Sequence, residues 1–160
     1  MHLTKILFAL ASIIPSALTH SRPKPPTVQC DPSARGPKLE ERQQAALADF
    51  TLHYAVTHDV QTAFDRWVPG QYIQHLPGAE QGREYAIAFL KDVYLDPAIT
   101  TTNVRHFAGG GYGAIQFKLT TPAGVSAVVS HFRFEGTCIV EHWGVLQEIS
   151  PSDTNPIAGF

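Results

Sequence analysis

From Lys38 onward, apolar residues recur every three or four positions. Leu39, Ala46, Leu47, Phe50 and Tyr54 share one stripe, with Glu40, Glu41 and Arg42 at its charged start. This spacing predicts a helix. A second, short helix follows, with Asp59 as its N-cap and Val60, Phe64 and Trp67 on one face. Pro69 and Gly70 end it. Residues 71–75 hold Tyr72 and the β-branched Ile73 and read as a short strand before a turn at Pro77 and Gly78. A third helix is predicted over 80–94, with Ala86, Ile87, Phe89, Leu90 and Val93 as its apolar stripe and Asp96 and Pro97 as its stop.

After Thr100 the period changes from about 3.6 to two. Ile115, Phe117 and Leu119 alternate with Gln116 and Lys118. Strands are predicted over 100–108, 112–120, 125–134 and 138–147. The breaks between them are Gly109, Gly110 and Gly111, then residues 121–124, then the loop Glu135, Gly136 and Thr137. Helices followed by a run of antiparallel strands indicate an α+β fold. A strongly curved sheet closed on one side by three N-terminal helices forms a cone. Its interior exceeds what its own side chains fill, which leaves room for a pocket.

The first 37 residues read differently. His2 and Lys5 precede an apolar run over residues 6–14, followed by Pro15, Ser16 and Ala17. A positive start, a short apolar core and small residues describe a secretory signal peptide over 1–19, cleaved after Thr19. The run is shorter than the roughly 20 residues that span a bilayer. The alternative is a buried N-terminal helix, which Pro15 does not favour. Residues 20–37 hold five prolines (Pro23, Pro25, Pro26, Pro32 and Pro37) and read as an extended arm. The domain then covers 38–150, with an irregular tail over 151–160.

Composition changes this picture little. The 160 residues are 44% hydrophobic and carry a formal charge of −2, which suits one core-forming domain and offers no basic face for nucleic acid. No Lys/Arg run points to a membrane surface once the leader is removed. The two cysteines, Cys30 and Cys138, matter more. In an oxidising compartment they most simply form one disulfide tying the arm to the last strands; the alternative is two separate thiols. No cofactor loop or metal-ligand spacing is present, and His53 and His58 stand five apart, off a common helix face.

The last hairpin carries the candidate chemistry. A three-residue loop at 135–137 places Ser130 across from His142 and Val128 across from Gly144. Alternation groups Ser130, Phe132, Val140, His142, Gly144 and Leu146 on one face, and His131, Arg133, Glu141, Trp143 and Val145 on the other. The first face, with one histidine and one serine among apolar residues, suits a pocket wall. There a neutral imidazole can move a proton near physiological pH; the alternative is a core histidine satisfied by backbone or water. His75, before the Pro-Gly turn, is a second acid/base candidate or a surface turn residue. Tyr72 stands beside it on the short strand.

These segments resemble the SnoaL-like proteins. The resemblance rests on Tyr72-Ile73-Gln74-His75, Gly82-Arg83-Glu84 and Phe89-Leu90. It rests equally on Phe132-Arg133-Phe134-Glu135-Gly136 and on Ile139-Val140-Glu141-His142-Trp143 with Val145-Leu146-Gln147, and it extends to Asn155-Pro156 and Gly159-Phe160. It implies the cone of the nuclear transport factor 2-like superfamily, a homodimer through the curved sheet, and a pocket for a small organic molecule. It also implies cofactor-free cyclase or isomerase chemistry by proton transfer next to a carbonyl. In the cyclases an aspartate closing a His-Trp-Asp tripeptide is the base; here the tripeptide reads His142-Trp143-Gly144. The resemblance thus leaves His142 and His75 as catalytic candidates, with Ser130, Phe132, Gly144, Tyr72 and Leu146 as substrate contacts. A non-catalytic secreted carrier of an apolar metabolite is the alternative.

Overall fold

The computed structural model describes residues 27–155, 157, 159 and 160. The expected signal peptide and the first part of the arm lie outside the described residues.

The first helix, α1, spans Leu39–Thr51 and buries Ala46, Leu47 and Phe50 of the expected stripe, with Gln43 buried beside them. It runs on into a π-helical turn, Leu52–Val56, where the Thr57 N–H donates to the Leu52 carbonyl at 2.8 Å. The wider turn keeps Tyr54 and Ala55 buried beyond the end of the α-helix. His58, at φ 57°, reverses the chain. Asp59 then caps α2 (Val60–Trp67), its carboxylate accepting the Thr62 N–H at 3.2 Å. Asp49 of α1 clamps the two helices, accepting the Trp67 indole N–H at 2.7 Å and Arg66 Nη1 at 3.0 Å.

The predicted short strand is confined to β1, Ile73–Gln74, and the third helix, α3, to Arg83–Val93. Arg83 of the Gly82-Arg83-Glu84 motif ties α3 to α2: its Nε donates to the Val68 carbonyl at 2.7 Å, and its guanidinium pairs with Asp65. Four long strands follow: β2 (Thr100–Gly109), β3 (Tyr112–Thr121), β4 (Gly124–Glu135) and β5 (Cys138–Ile149). Gly110 and Gly111, both at positive φ, make the tight β2–β3 turn.

The sheet order is β1-β5-β4-β3-β2. The expected meander is present, but the sheet is mixed, because β1 adds to β5 in parallel, Gln74 beside His142. The expected register of the last hairpin needs correction. Ser130 faces Gly144, and Phe132 faces His142. Phe134 pairs with Ile139 while Arg133 pairs with Glu141, so Val140 is an extra residue bulged out of the ladder. The bulge also corrects the face assignment: Ile139, not Val140, enters the core.

The helices pack against the inner face of the sheet. Phe50, Phe64, Phe132, Leu47, Ile115 and Ile139 are the large side chains at the centre, with Phe50 and Phe132 edge to face at 5.3 Å. The described end of the arm is anchored rather than loose. Cys30 and Cys138 are bridged, and Asp31 and Thr137 exchange hydrogen bonds, Thr137 N–H to the Asp31 carbonyl at 3.0 Å and Asp31 N–H to Thr137 Oγ1 at 2.8 Å.

Candidate functional site

Between α3 and the inner face of β5, the helices do not fill the cone. Two adjoining lobes, of about 160 and 190 Å³, share Tyr54, Leu76, Phe89, Leu90 and His142 in their walls. One lobe reaches Tyr72 and Gln74; the other reaches Ser130, Gly144 and Leu146. Phe89 and Leu146 remain about half exposed, so the mouth lies between α3 and the far half of β5. Among the described residues, no Asp, Glu, Lys or Arg lines either lobe.

His142 is the polar centre. Its side chain is buried against the ring of Phe132, with centroids 4.9 Å apart. Parallel pairing of β1 brings Gln74 to its edge, with Nδ1 2.9 Å from Gln74 Oε1. That oxygen also accepts the Leu76 N–H at 3.0 Å, which identifies it as the carbonyl end of the amide. Nδ1 must therefore carry the proton, and Nε2 keeps its lone pair. Among the described residues Nε2 has no hydrogen-bond partner. Burial holds the pKa of His142 down at about 4, with His131 and His75 contributing repulsion. At neutral pH the ring is therefore a neutral hydrogen-bond acceptor.

β1 itself is pinned by Gln81, which accepts the Gln74 N–H at 3.0 Å and donates to the Gln74 carbonyl at 2.6 Å. Across the cavity the hydroxyls of Tyr54 and Ser130 stand 3.5 Å apart. Burial raises the pKa of Tyr54, which keeps that phenol protonated.

The structure thus brings His142, Ser130, Gly144, Tyr72 and Leu146 to one cavity and sets Phe132 behind His142. It does not bring His75 there. His75 lies on the outer face, stacked on Trp143 at 4.6 Å, with Nε2 2.7 Å from Glu141 Oε1; Arg133 holds the other carboxylate oxygen. These two hydrogen bonds lower the pKa of Glu141. Sequence signals do not single out Tyr54, Leu76 and Leu90 as site residues. Tyr54 carries only the signal of a helical stripe, while Gln74 belongs to a motif and, with His75, to a candidate pocket rim before the Pro-Gly turn. Gln74 stands two positions from Tyr72 on a strand, so alternation already placed both on one face.

A wider groove of about 570 Å³ runs between the β3–β4 turn and the C-terminal tail, but it is an open surface feature edged by Lys118, Glu148 and Asp153. Among the described residues, no group of three or more His, Cys, Asp or Glu side chains could hold a metal ion, and no helix is long and apolar enough to cross a membrane.

No family model matches the sequence, and no curated protein matches it. Solved structures do match the fold. A candidate ketosteroid isomerase from Kribbella flavida is similar with a TM-score of 0.57 at 16% identity, over 72% of this chain and 85% of its own. A protein of unknown function from Mesorhizobium loti, described as NTF2-like, gives 0.57 at 15% identity, over 71% and 98%. A candidate polyketide cyclase from a Silicibacter species gives 0.54 at 13% identity, over 69% and 96%. With three helices on a curved mixed sheet and these neighbours, the chain has the fold of the nuclear transport factor 2-like superfamily, as its resemblance to SnoaL-like proteins implied.

Proposed function

We propose that the cavity at His142 binds a small, neutral, largely apolar organic molecule, and that the protein is an exported carrier of it. One observation carries this reading: an uncharged cavity whose wall includes a buried histidine, with Nδ1–H committed to Gln74 and Nε2 left without a partner among the described residues. A buried acceptor left unpaired costs free energy, and a ligand that donates to it recovers that cost. Export is supported by the Cys30–Cys138 bridge together with the leader-like N-terminus. The outer face of the sheet supports a homodimer, since it presents Phe107, Tyr112, Val129 and Val145 to solvent.

Catalysis is the second reading: proton transfer next to a carbonyl, with His142 Nε2 as the base. The unpartnered lone pair favours it, as do neighbours described as candidate isomerases and cyclases. The low basicity of His142 and the absence of a carboxylate at Gly144 weigh against it. His75, held by Glu141 on the opposite face, would need a different site.

Native mass spectrometry of the exported protein, before and after incubation with a lipophilic metabolite extract, separates the two. A retained molecule of unchanged mass is the expected result, and the intact mass reports cleavage after Thr19. A molecule consumed and replaced by an isomer or a dehydration product, with turnover lost in His142→Ala, would make the protein an enzyme. If no molecule is retained and none is consumed, both readings are overturned.

A further inference from the structure

The three helices are not held alike. α1 buries Ala46, Leu47 and Phe50, and α2 buries Val60, Ala63, Phe64 and Trp67, whereas α3 buries only Ala86 and Ile87 along its 11 residues. Its backbone lies close against α2, and no strand of the sheet comes comparably near it. The cavity takes up the interval. Phe89, Leu90 and Val93, the rest of the apolar stripe of α3, line the lobe whose far wall includes Leu146 of β5. Leu90 and Tyr94 reach the core only as partly buried side chains, and Phe89 stays about half exposed.

The two ends of α3 are fastened differently. At the N-terminal end, Arg83 fixes the first turn to α2 through the Val68 carbonyl and Asp65. Directly before it, Gly82 stands at φ 96° and ψ 160°, a backbone region essentially restricted to glycine. A Cβ there would meet nothing within 4 Å, so glycine serves the turn of the chain and not its packing. At the C-terminal end the fastening is slight. The exposed Lys91 ammonium reaches Gln61 Oε1, and Tyr94 lies flat on the His58 imidazole, with ring centroids 3.9 Å apart and planes 3° apart. His58 is held in turn by β2, its Nε2 3.0 Å from Thr101 Oγ1.

Resting on the small-molecule reading above, we propose that α3 is a lid over the cavity. It pivots at Gly82 and Arg83, is latched by the stack of Tyr94 on His58, and closes when an apolar ligand lies between its stripe and β5. Without a ligand, Phe89 and Leu146 face each other's lobe wall across the mouth and stay half in water. A ligand offers apolar surface to both at once, so it is held better by the closed position than by the open one. Release of Tyr94 from His58 opens the C-terminal end of α3 and leaves α1, α2 and the sheet undisturbed.

Hydrogen–deuterium exchange tests this on the disulfide-bonded protein at neutral pH, with and without N-phenyl-1-naphthylamine, a neutral apolar probe whose fluorescence reports its binding and release. In the free protein the amides of α3 are expected to exchange at least about tenfold faster than those of α2, because an element with little buried surface opens locally. Saturating probe should slow α3 about tenfold and leave α2 unchanged. His58→Gly removes the stack and suits the φ of 57° at that position. This variant should speed exchange in α3 alone and raise the release rate of the probe, with circular dichroism showing that it is folded. If α3 exchanges as slowly as α2 in the free protein, or bound probe leaves its exchange unchanged, the lid falls while the pocket reading stands. If His58→Gly speeds all three helices alike, or leaves the release rate unchanged, the stack is no latch and the proposal falls as well. If the probe does not bind, both fall.

Discussion

At the scale of single residues, the question is what it costs to keep His142 neutral. An exposed histidine takes up a proton near 6.5, whereas His142 in the folded protein does so near 4. Above pH 6.5 both states hold the ring neutral and the difference contributes nothing. As pH falls below 6.5, the unfolded chain gains a proton that the folded one refuses. Stability therefore drops, and the loss is complete once pH passes below about 4, by roughly 3 kcal/mol. His58, whose pKa burial also lowers, adds in the same direction. Urea titrations at pH 7 and 4.5 should show wild type losing about 2 kcal/mol more than His142→Gln, which keeps a polar side chain but does not titrate. Parallel losses in the two proteins would mean that His142 is protonated without penalty, and the neutral-acceptor account of the site would fail. Ser130 has a smaller part. Its hydroxyl meets Tyr54 at 3.5 Å, which leaves it free to turn toward a ligand.

At the scale of elements, the β4–β5 turn is where the arm, α1 and the sheet meet. Gly136 serves two needs there. Its φ of 57° lies in the left-handed region, and a Cβ would fall 2.1 Å from the Asp31 carbonyl oxygen. Its own carbonyl accepts Gln43 Nε2 of α1 at 2.7 Å. Gly110 in the β2–β3 turn has nearly the same φ, 60°, with nothing within 4 Å of the Cβ position. Gly110→Ala should therefore cost about 1 kcal/mol, the backbone penalty alone. Gly136→Ala should cost several times that, roughly 3–4 kcal/mol, because the arm must move away from the turn. Thermal or urea unfolding of both variants makes the comparison; equal costs would show that the arm does not press on the turn. The disulfide acts at the same place. It crosses a separation of 108 residues, so it removes much of the freedom of the unfolded chain while holding the arm to the hairpin.

At the scale of the whole molecule, the two faces of the sheet have separate roles. The inner face builds the core and the cavity. The outer face carries a ladder of rings across neighbouring strands, with His75 stacked on Trp143, Trp143 against His131 at 5.3 Å and His131 on Tyr112 at 5.2 Å. Around it Phe107 is 68% exposed and Val145 66%, more apolar surface than an isolated sheet face usually leaves to water. Light scattering on a sizing column should give twice the protomer mass for wild type at micromolar concentration. Val145→Lys, which places a charge in the middle of this face, should give the protomer mass with an unchanged circular dichroism spectrum. A monomeric wild type would remove the dimer from the proposal and leave the outer face without an assigned role.

Periodicity determined most of the architecture. The helical stripe ending at Tyr54, the Asp59 cap, the switch to alternation after Thr100 and the glycine turn after β2 are local signals, and each depends on residues within a few positions of one another. Alternation also grouped Ser130 with Phe132 and His142 with Gly144. Tertiary structure decided the rest, because it depends on contacts between distant segments. The bulge at Val140 reset which residues face one another across the hairpin, since one extra residue shifts every later pairing while leaving the composition unchanged. Parallel docking of β1 on β5 brought Gln74 to His142, selected its tautomer and carried His75 to the other side of the sheet. Burial then set its charge state. Histidine, glycine and serine can all be read in the chain, but a buried, neutral histidine with one nitrogen unpartnered in the wall of an uncharged cavity is a property of three segments packed together, and no one of them encodes it alone.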